Sequence, residues 1–326
     1  MSELLNEITV APYLQKRGII GDQFEVEVLT GGVSNVVLAI KTPDKNLVLK
    51  QALPQLKVAQ EWKADQRRAI VEAEAMRLFH GLTPLAVPKI VDNDPVEFTL
   101  TMERLPNDFV NWKEEMLVGR ANPKVGTNLG EILANWHNFG AINIEVRNQF
   151  MEDSLFEQLR INPFYRAVQK VNPDLKIIAE LIKENENEKI TLVHGDFSPK
   201  NILINSDGDV VVLDFEVEHT GNPVFDLAFV TAHLVCKYIH TKNEDISTSA
   251  HNFFVAYKQH AKLPVSYSVA HHIALIALAR IEGVSPVNYL STESKEKVVK
   301  LTKKRSEEHT SELQSPMYLV CRLLLE

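Results

Sequence analysis

The stretch ITLVHGDFSPKNILINSDGDVVVLDFE, residues 190–216, constrains this chain more than any other. Ile190 to Val193 form one short apolar run, and 202–204 and 210–213 form two more, separated by the turn Asn205-Ser206-Asp207-Gly208-Asp209. The pattern predicts a strand, a polar loop, and then a hairpin whose strands end beside that loop. It leaves Asp196 in the loop, Asn201 at the start of the next strand and Asp214 at the end of the last. Asp196 is suited to accept a proton from a hydroxyl, while Asn201 and Asp214 offer hard oxygens to a divalent cation such as Mg²⁺. A surface hairpin rich in Asp and Asn is the competing reading.

His194-Gly195-Asp196 with Asn201, followed by Asp214-Phe215-Glu216, resembles the catalytic loop and metal segment of aminoglycoside phosphotransferase and choline kinase-like enzymes. The same residues are similar to the H-R-D-x-x-x-x-N and D-F-G segments of protein kinases. The resemblance implies an α+β, two-lobed protein kinase-like fold, with a small β-rich N-terminal lobe and a larger, mainly helical C-terminal lobe. It implies that Asp196 orients and deprotonates an acceptor hydroxyl, while Asn201 and Asp214 hold Mg²⁺ on ATP. His194 would support the loop through hydrogen bonds, and Glu216 would contact a second ion or its water. Lys200, close to Asp196 in sequence, either meets a transferring phosphoryl group or lies in solvent.

The N-terminal third supplies the parts of a nucleotide site. Ser2 to Lys16 has apolar residues partly at helical spacing, with Pro12 as an expected kink. Phe24, Val26 and Val28 alternate with glutamates, which predicts a half-buried strand. The turn Leu29 to Asn35 contains Gly31, Gly32 and Ser34, suited to cover phosphates because glycines permit tight bends and expose backbone N–H groups. It lacks G-x-G-x-x-G and is not a P-loop. Leu47 to Leu49 lead into Lys50, where a strand can aim an ammonium at phosphates. In the helix expected over Lys63 to Phe79, Glu72 precedes Met76 by four residues, which matches the family pattern of the glutamate that pairs with the lysine; Glu74 is the substitute. Strands are expected at 87–93 and 96–102. Met102, Glu103 and Leu105 then resemble an interlobe connection that presents backbone groups to an adenine edge.

Lys50-Gln51-Ala52-Leu53-Pro54, with Trp62, Arg68, Glu72-Ala73-Glu74 and Trp112-Lys113, is similar to methylthioribose kinases. The active-site segments depart from those sugar kinases, whose metal segment is D-P-E-F-like. The kinship implies a small hydroxylated acceptor without fixing which one. Over 125–140 an apolar helical stripe includes Trp136, and His137 beside it reads as packing. Further helices are expected at 152–160, 163–170, 173–186, 247–261 and 268–281, with Pro163 near a start. Gly221-Asn222-Pro223-Val224-Phe225-Asp226-Leu227-Ala228 matches the segment that in related kinases supports the catalytic loop, with Asp226 accepting backbone hydrogen bonds. Arg280 before Gly283 is similar to an arginine segment of methylthioribose kinases and is a candidate for the substrate pocket, or for an interhelical salt bridge.

A chain of 326 residues suits two lobes, read here as 1–102 and 106–304 joined by a hinge at 103–105. The net charge of −8 argues against nucleic acid as a partner while leaving room for a local basic pocket. Two cysteines, Cys236 and Cys321, make no disulfide framework, and no uninterrupted membrane span is visible, so a cytoplasmic enzyme is expected. Arg305 to Ser315, RSEEHTSELQS, resembles translated sequencing-adapter sequence, and 305–326 is set apart as a non-native tail. The reading is an ATP- and Mg²⁺-dependent kinase of a small hydroxylated acceptor, a sugar, amino sugar or related metabolite. An inactive nucleotide-binding regulatory domain and a protein kinase are the alternatives.

Overall fold

Val36 to Ile40 and Leu47 to Ala52 concentrate β-branched and apolar residues, which suit a pleated, half-buried surface. In the computed structural model, which describes residues 4–29, 34–55 and 64–307, they form the centre of an antiparallel sheet. The strands are β1 (Glu25–Val28), β2 (Asn35–Lys41), β3 (Asn46–Ala52), β4 (Ile90–Asp94) and β5 (Thr99–Glu103), in the order β1-β2-β3-β5-β4. Helix α1 (Val10–Lys16) lays Val10, Ala11 and Leu14 on Leu38, Ile40, Leu47 and Leu49. It begins later than the apolar spacing from Ser2 suggested. Pro12 lies in its first turn, where a missing N–H costs nothing, so the expected kink does not arise. In the outer strand β1, Val26 packs partly on this core, whereas Val28, and Phe24 just before the strand, stay exposed. Helix α2 (Arg68–Leu82) buries Glu72, Ala73, Met76 and Phe79.

These elements form one unit, Met1–Asn107, to which Asp214–Glu216 also belong; Asp108–Leu213 and Val217–Glu326 form the other. The architecture is two-lobed α+β, β-rich in the N-terminal lobe and mostly helical in the C-terminal one. Gly31 and Gly32, Trp62, Cys321 and residues 308–326 of the expected tail lie outside the described residues.

The second unit opens with β6 (Val110–Asn111), α3 (Trp112–Leu117), α4 (Pro123–Ile142) and α5 (Ile144–Gln149). The side chain of Asn122 caps α4, and Pro123 stands at its first position, the arrangement expected of a helix start. Helix α4 packs on α10 (Glu244–His260) so closely that a Cβ on Gly126 would sit 2.0 Å from the Ser249 carbonyl oxygen. The chain then winds through α6 (Ser154–Phe156), a π-helical stretch (Glu157–Arg166) and α7 (Ala167–Val171). A break before Pro163 was expected, but the wider π turn moves the preceding carbonyls away from the proline ring, and Leu159, Ile161, Phe164 and Tyr165 anchor it by burial. After α8 (Ile177–Asn187) come β7 (Thr191–Val193), β8 (Ile202–Ile204), β9 (Val210–Val212) and β10 (His219–Gly221). Strands β8 and β9 form the expected hairpin, extended by β6, and β7 pairs with β10. The unit's apolar centre is α9 (Val224–Thr241) and α11 (Val269–Glu282), followed by α12 (Thr292–Glu307). No helix among the described residues is long and apolar enough to cross a membrane.

Candidate active site

In the first unit, antiparallel pairing fixes Lys50 opposite Val37 on β2 and Leu100 on β5. From there its ammonium reaches Glu72 Oε1 at 2.6 Å and Asp214 Oδ1 at 2.7 Å. Glu74, two residues further along α2, is exposed, because positions two apart face different sides of a helix. Burial disfavours the Lys50 charge, but Asp214 and Glu72 outweigh it and hold the amine above the ordinary lysine range. Burial pushes Glu72 up against the pull of Lys50, with Asp214 adding to the rise. Asp214 adopts φ 71°, a left-handed conformation uncommon outside glycine and characteristic of functional turns. Phe215 is fully buried and stacks on Phe79 at 5.5 Å, which anchors the segment.

Glu216 does not face this lysine with a free carboxylate. Its Oε2 accepts from Arg68 Nε at 3.1 Å, and the Arg68 guanidinium also donates to the carbonyls of Ser34, Leu53, Ala64 and Asp65. Ser34 thus ends the described part of the glycine turn on a buried arginine, and its hydroxyl accepts from Asn35. Met102 is buried in β5, and Glu103, exposed, spends its N–H on the Lys89 carbonyl. The N–H of Leu105 meets no acceptor among the described residues.

In the second unit, the loop after β7 is built around Gly195, Phe197 and Asp226. Gly195 has φ +72°, and a Cβ there would lie 2.9 Å from the Val217 carbonyl oxygen. Phe197 is buried against Trp136, His194 and Phe253. Asp226, in the first turn of α9, accepts from His194 N at 2.8 Å and Gly195 N at 2.9 Å. His137 Nε2 approaches it at 3.4 Å, with Nδ1 held by the Tyr257 hydroxyl. Burial alone would raise Asp226, but hydrogen bonding from His137 and attraction to the histidines hold it below the ordinary carboxylate range. His194 Nδ1 accepts from Asp196 N, so its Nε2–H faces the Leu213 carbonyl oxygen at 3.2 Å.

The Asp196 carboxylate is buried, and three donors converge on its Oδ2: Arg160 Nη2, Lys200 Nζ and Asn201 Nδ2, each at 2.8 Å. Oδ1 has no hydrogen-bond partner among the described residues. Lys200 is paired with Asp196 while its side chain remains 52% exposed. Asn201 also donates Nδ2 to the Asp196 carbonyl, which turns its amide oxygen outward with no donor on it among the described residues. Strand β9 then passes from Leu213, whose N–H is bonded to the Asn201 carbonyl, directly into Asp214.

Arg160 was not singled out from the sequence. It is buried, donates Nε to the Gly195 carbonyl at 2.6 Å and lies 5.8 Å from the Phe229 ring centroid. A lone arginine between Leu159 and Ile161 in a predicted amphipathic segment was the available signal. Among the described residues no three His, Cys, Asp or Glu side chains converge as a metal site. Mg²⁺ usually takes one or two carboxylates together with substrate phosphates. Taken separately, the Asn201 amide oxygen in the second unit and the Asp214 carboxylate in the first are hard donors of the kind such an ion accepts.

The profile of the phosphotransferase enzyme family, APH, matches residues 25–244. The chain is 24% identical over 273 residues to methylthioribose kinase of Bacillus cereus (strain B4264), covering 74% of this chain and 68% of that one. Its fold is similar to a choline/ethanolamine kinase family protein from Mesorhizobium loti, with TM-score 0.57 and 14% identity over 98% of this chain and 99% of that one. It is also similar to macrolide 2'-phosphotransferase from Brachybacterium faecium, with TM-score 0.55 and 19% identity over 83% and 89% of the two chains. With two-thirds of its length matched by one family, the chain belongs to the phosphotransferase enzyme family and is an ATP-dependent kinase of small molecules.

Proposed function

We propose that this kinase transfers the terminal phosphoryl group of ATP to a hydroxyl of a sugar, amino sugar or related metabolite. The observation that carries the reading is the asymmetric Asp196 carboxylate, with Oδ2 saturated by three donors and Oδ1 available to an acceptor hydroxyl. Asp196 aligns that hydroxyl and takes its proton at Oδ1. Lys50, oriented by Glu72, binds nucleotide phosphates, assisted by the turn containing Gly31, Gly32 and Ser34. Met102, Glu103 and Leu105, with the hinge at 103–105, receive the adenine. Asn201 and Asp214 would hold Mg²⁺, with Glu216 as a candidate for a second ion or its water, and the charge such an ion supplies would be set against the phosphates. His194 and Asp226 position the loop, and Lys200 and Arg280 face the acceptor or the transferred group. The similarity to a methylthioribose kinase supports a sugar-like acceptor.

Asp196→Asn tests this directly. The amide keeps the size and hydrogen-bonding reach of the carboxylate but takes no proton. Mg²⁺–ATP affinity should stay close to wild type, while single-turnover transfer to the true acceptor should fall by about 10²–10⁴-fold. Transfer at the wild-type rate by the folded variant would sink the assignment.

A further inference from the structure

Beyond Asp196, the second unit gathers more positive charge than a neutral sugar acceptor would need. Phe229, His233 and Lys237 recur every four residues along α9 and therefore share one face. Arg160 lies over the Phe229 ring at 5.8 Å, and His233 meets the same ring edge-on at 5.1 Å. Phe164 packs on Phe229 at 5.3 Å and carries the Arg280 guanidinium at 5.8 Å. Lys237 sits over Tyr289 at 5.6 Å.

Arg160 and Lys200 pair with Asp196, whose charge also bears on Arg280, whereas no carboxylate pairs with Lys237 among the described residues. Glu114 also bears on Lys237, but it is exposed and paired with Lys113 at 2.8 Å. Lys237 is 1% exposed and has no hydrogen-bond acceptor or carboxylate partner among the described residues. The Arg280 Nε–H and the Tyr289 hydroxyl are likewise buried without hydrogen-bond partners among the described residues. Burial, reinforced by Arg280, brings the Lys237 amine down to about 7, and it drives His233 well below the ordinary histidine range, aided by the four neighbouring cations. Unpaired buried charge of this kind is costly unless something supplies the missing partner.

We infer that the acceptor carries an oxyanion, a carboxylate or a phosphate, which Lys237 and Arg280 bind while its hydroxyl meets Asp196. This rests on the phosphotransferase reading and narrows its substrate class. The alternative occupant of the cluster is the transferred phosphoryl group itself. Arg160 and Lys200 touch Asp196 and suit that group. Lys237, eight residues beyond Phe229, stands ~12 Å further along α9 by helical rise, too far to serve the same phosphorus. Guanidinium and ammonium groups together match an oxyanion and repel cationic acceptors.

The test uses the full chain with matched probes: glucose, gluconate, glucose 6-phosphate and choline. Binding is titrated by calorimetry, with and without saturating Mg²⁺ and a non-hydrolysable ATP analogue, and transfer from labelled ATP is followed in parallel. One or both anionic probes should bind in preference to glucose and choline, and which of the two wins distinguishes carboxylate from phosphate. Lys237→Met and Arg280→Met should each weaken that binding by about 10–100-fold, as expected for a lost charged hydrogen bond. Lys237→Arg should retain it. Lys237→Met should also unfold no earlier than wild type, because it removes an unpaired buried cation. Equal or tighter binding of glucose or choline, failure of both anions to bind, or undiminished anion binding by Lys237→Met would overturn the inference. ATP affinity measured separately on the wild type and Lys50→Ala reports on the kinase reading, so the two can fail independently.

Discussion

Asp226→Asn isolates the link between α9 and the catalytic loop. Asp226 is fully buried, and its two oxygens divide their work: Oδ1 accepts from Gly195 N, and Oδ2 accepts from His194 N and faces His137. Asparagine keeps one acceptor oxygen and presents an NH₂ where the other stood. One backbone N–H therefore loses its partner and meets a second donor. An unsatisfied buried donor costs about 1–3 kcal/mol, and the surviving bond loses its charge assistance, which together give about 2–4 kcal/mol. For a domain of this size, at roughly 2–4 °C per kcal/mol, the transition should fall by about 5–15 °C.

Differential scanning calorimetry of the two proteins reads that shift, and amide exchange at Gly195 localises it. Because Asp226 holds the loop rather than the nucleotide, kcat should fall while the Mg²⁺–ATP affinity stays near wild type. Asp226→Ala, which leaves both N–H groups without an acceptor, should be worse on both counts. A transition within about 1 °C of wild type, with unchanged exchange at Gly195, would show that the two short hydrogen bonds do not hold the loop.

Gly195→Ala should destabilise by about 1–2 kcal/mol from the positive φ alone, with further loss from the Val217 carbonyl 2.9 Å away, visible as a lower Tm and reduced turnover; an unchanged Tm would refute the steric argument. His219 is buried, stacks on Phe156 at 4.0 Å, and is pulled down to about 4 by burial, against the Val217 carbonyl. The unfolded chain therefore binds a proton below about 6.5 that the folded one refuses, so stability should be lost as pH falls from 6.5 through 4, by about 3 kcal/mol from this residue. Denaturant titrations of wild type and His219→Gln across that window should diverge in slope, and parallel curves would count against it.

The elements that close locally were legible from the chain. The hairpin at 202–212 announced itself by two apolar runs around an Asn-Ser-Asp-Gly-Asp turn, and it forms at β8 and β9. The choice of Glu72 over Glu74 followed from resemblance to the family pattern of a glutamate four residues before Met76, and the ammonium of Lys50 lies against Glu72. What the sequence hid depends on winding and on contacts between distant segments. Periodicity marked 152–160 as a helix, but nothing in it announced the π turn that carries Arg160 onto Gly195 and Asp196. Lys237 had a signal that went unused: a lysine within the almost wholly apolar run of α9, where a solvated charge has nowhere to go. Arg68 was visible only as a point of similarity, yet its five donors close the strand ends around Ser34 and Leu53 and occupy Glu216.

The loop also explains why an asparagine, rather than an aspartate, follows Asp196 by five residues. Both hydrogen bonds from Asn201 Nδ2 end on Asp196, one on its carbonyl and one on Oδ2. Only the NH₂ end of the amide can make them, so the amide orientation is dictated by the network and the oxygen must point away. That oxygen is the end a hard cation can use. A carboxylate at the same position would set an acceptor against two acceptors and add repulsion to Asp196. Arg160 and Lys200 complete the same oxygen from other directions, so the side chain is held from three sides. The consequence is a division within one residue pair. Asp196 spends one oxygen on orientation and leaves the other for the proposed acceptor, while Asn201 uses its nitrogen to hold Asp196 and leaves its oxygen for the proposed metal.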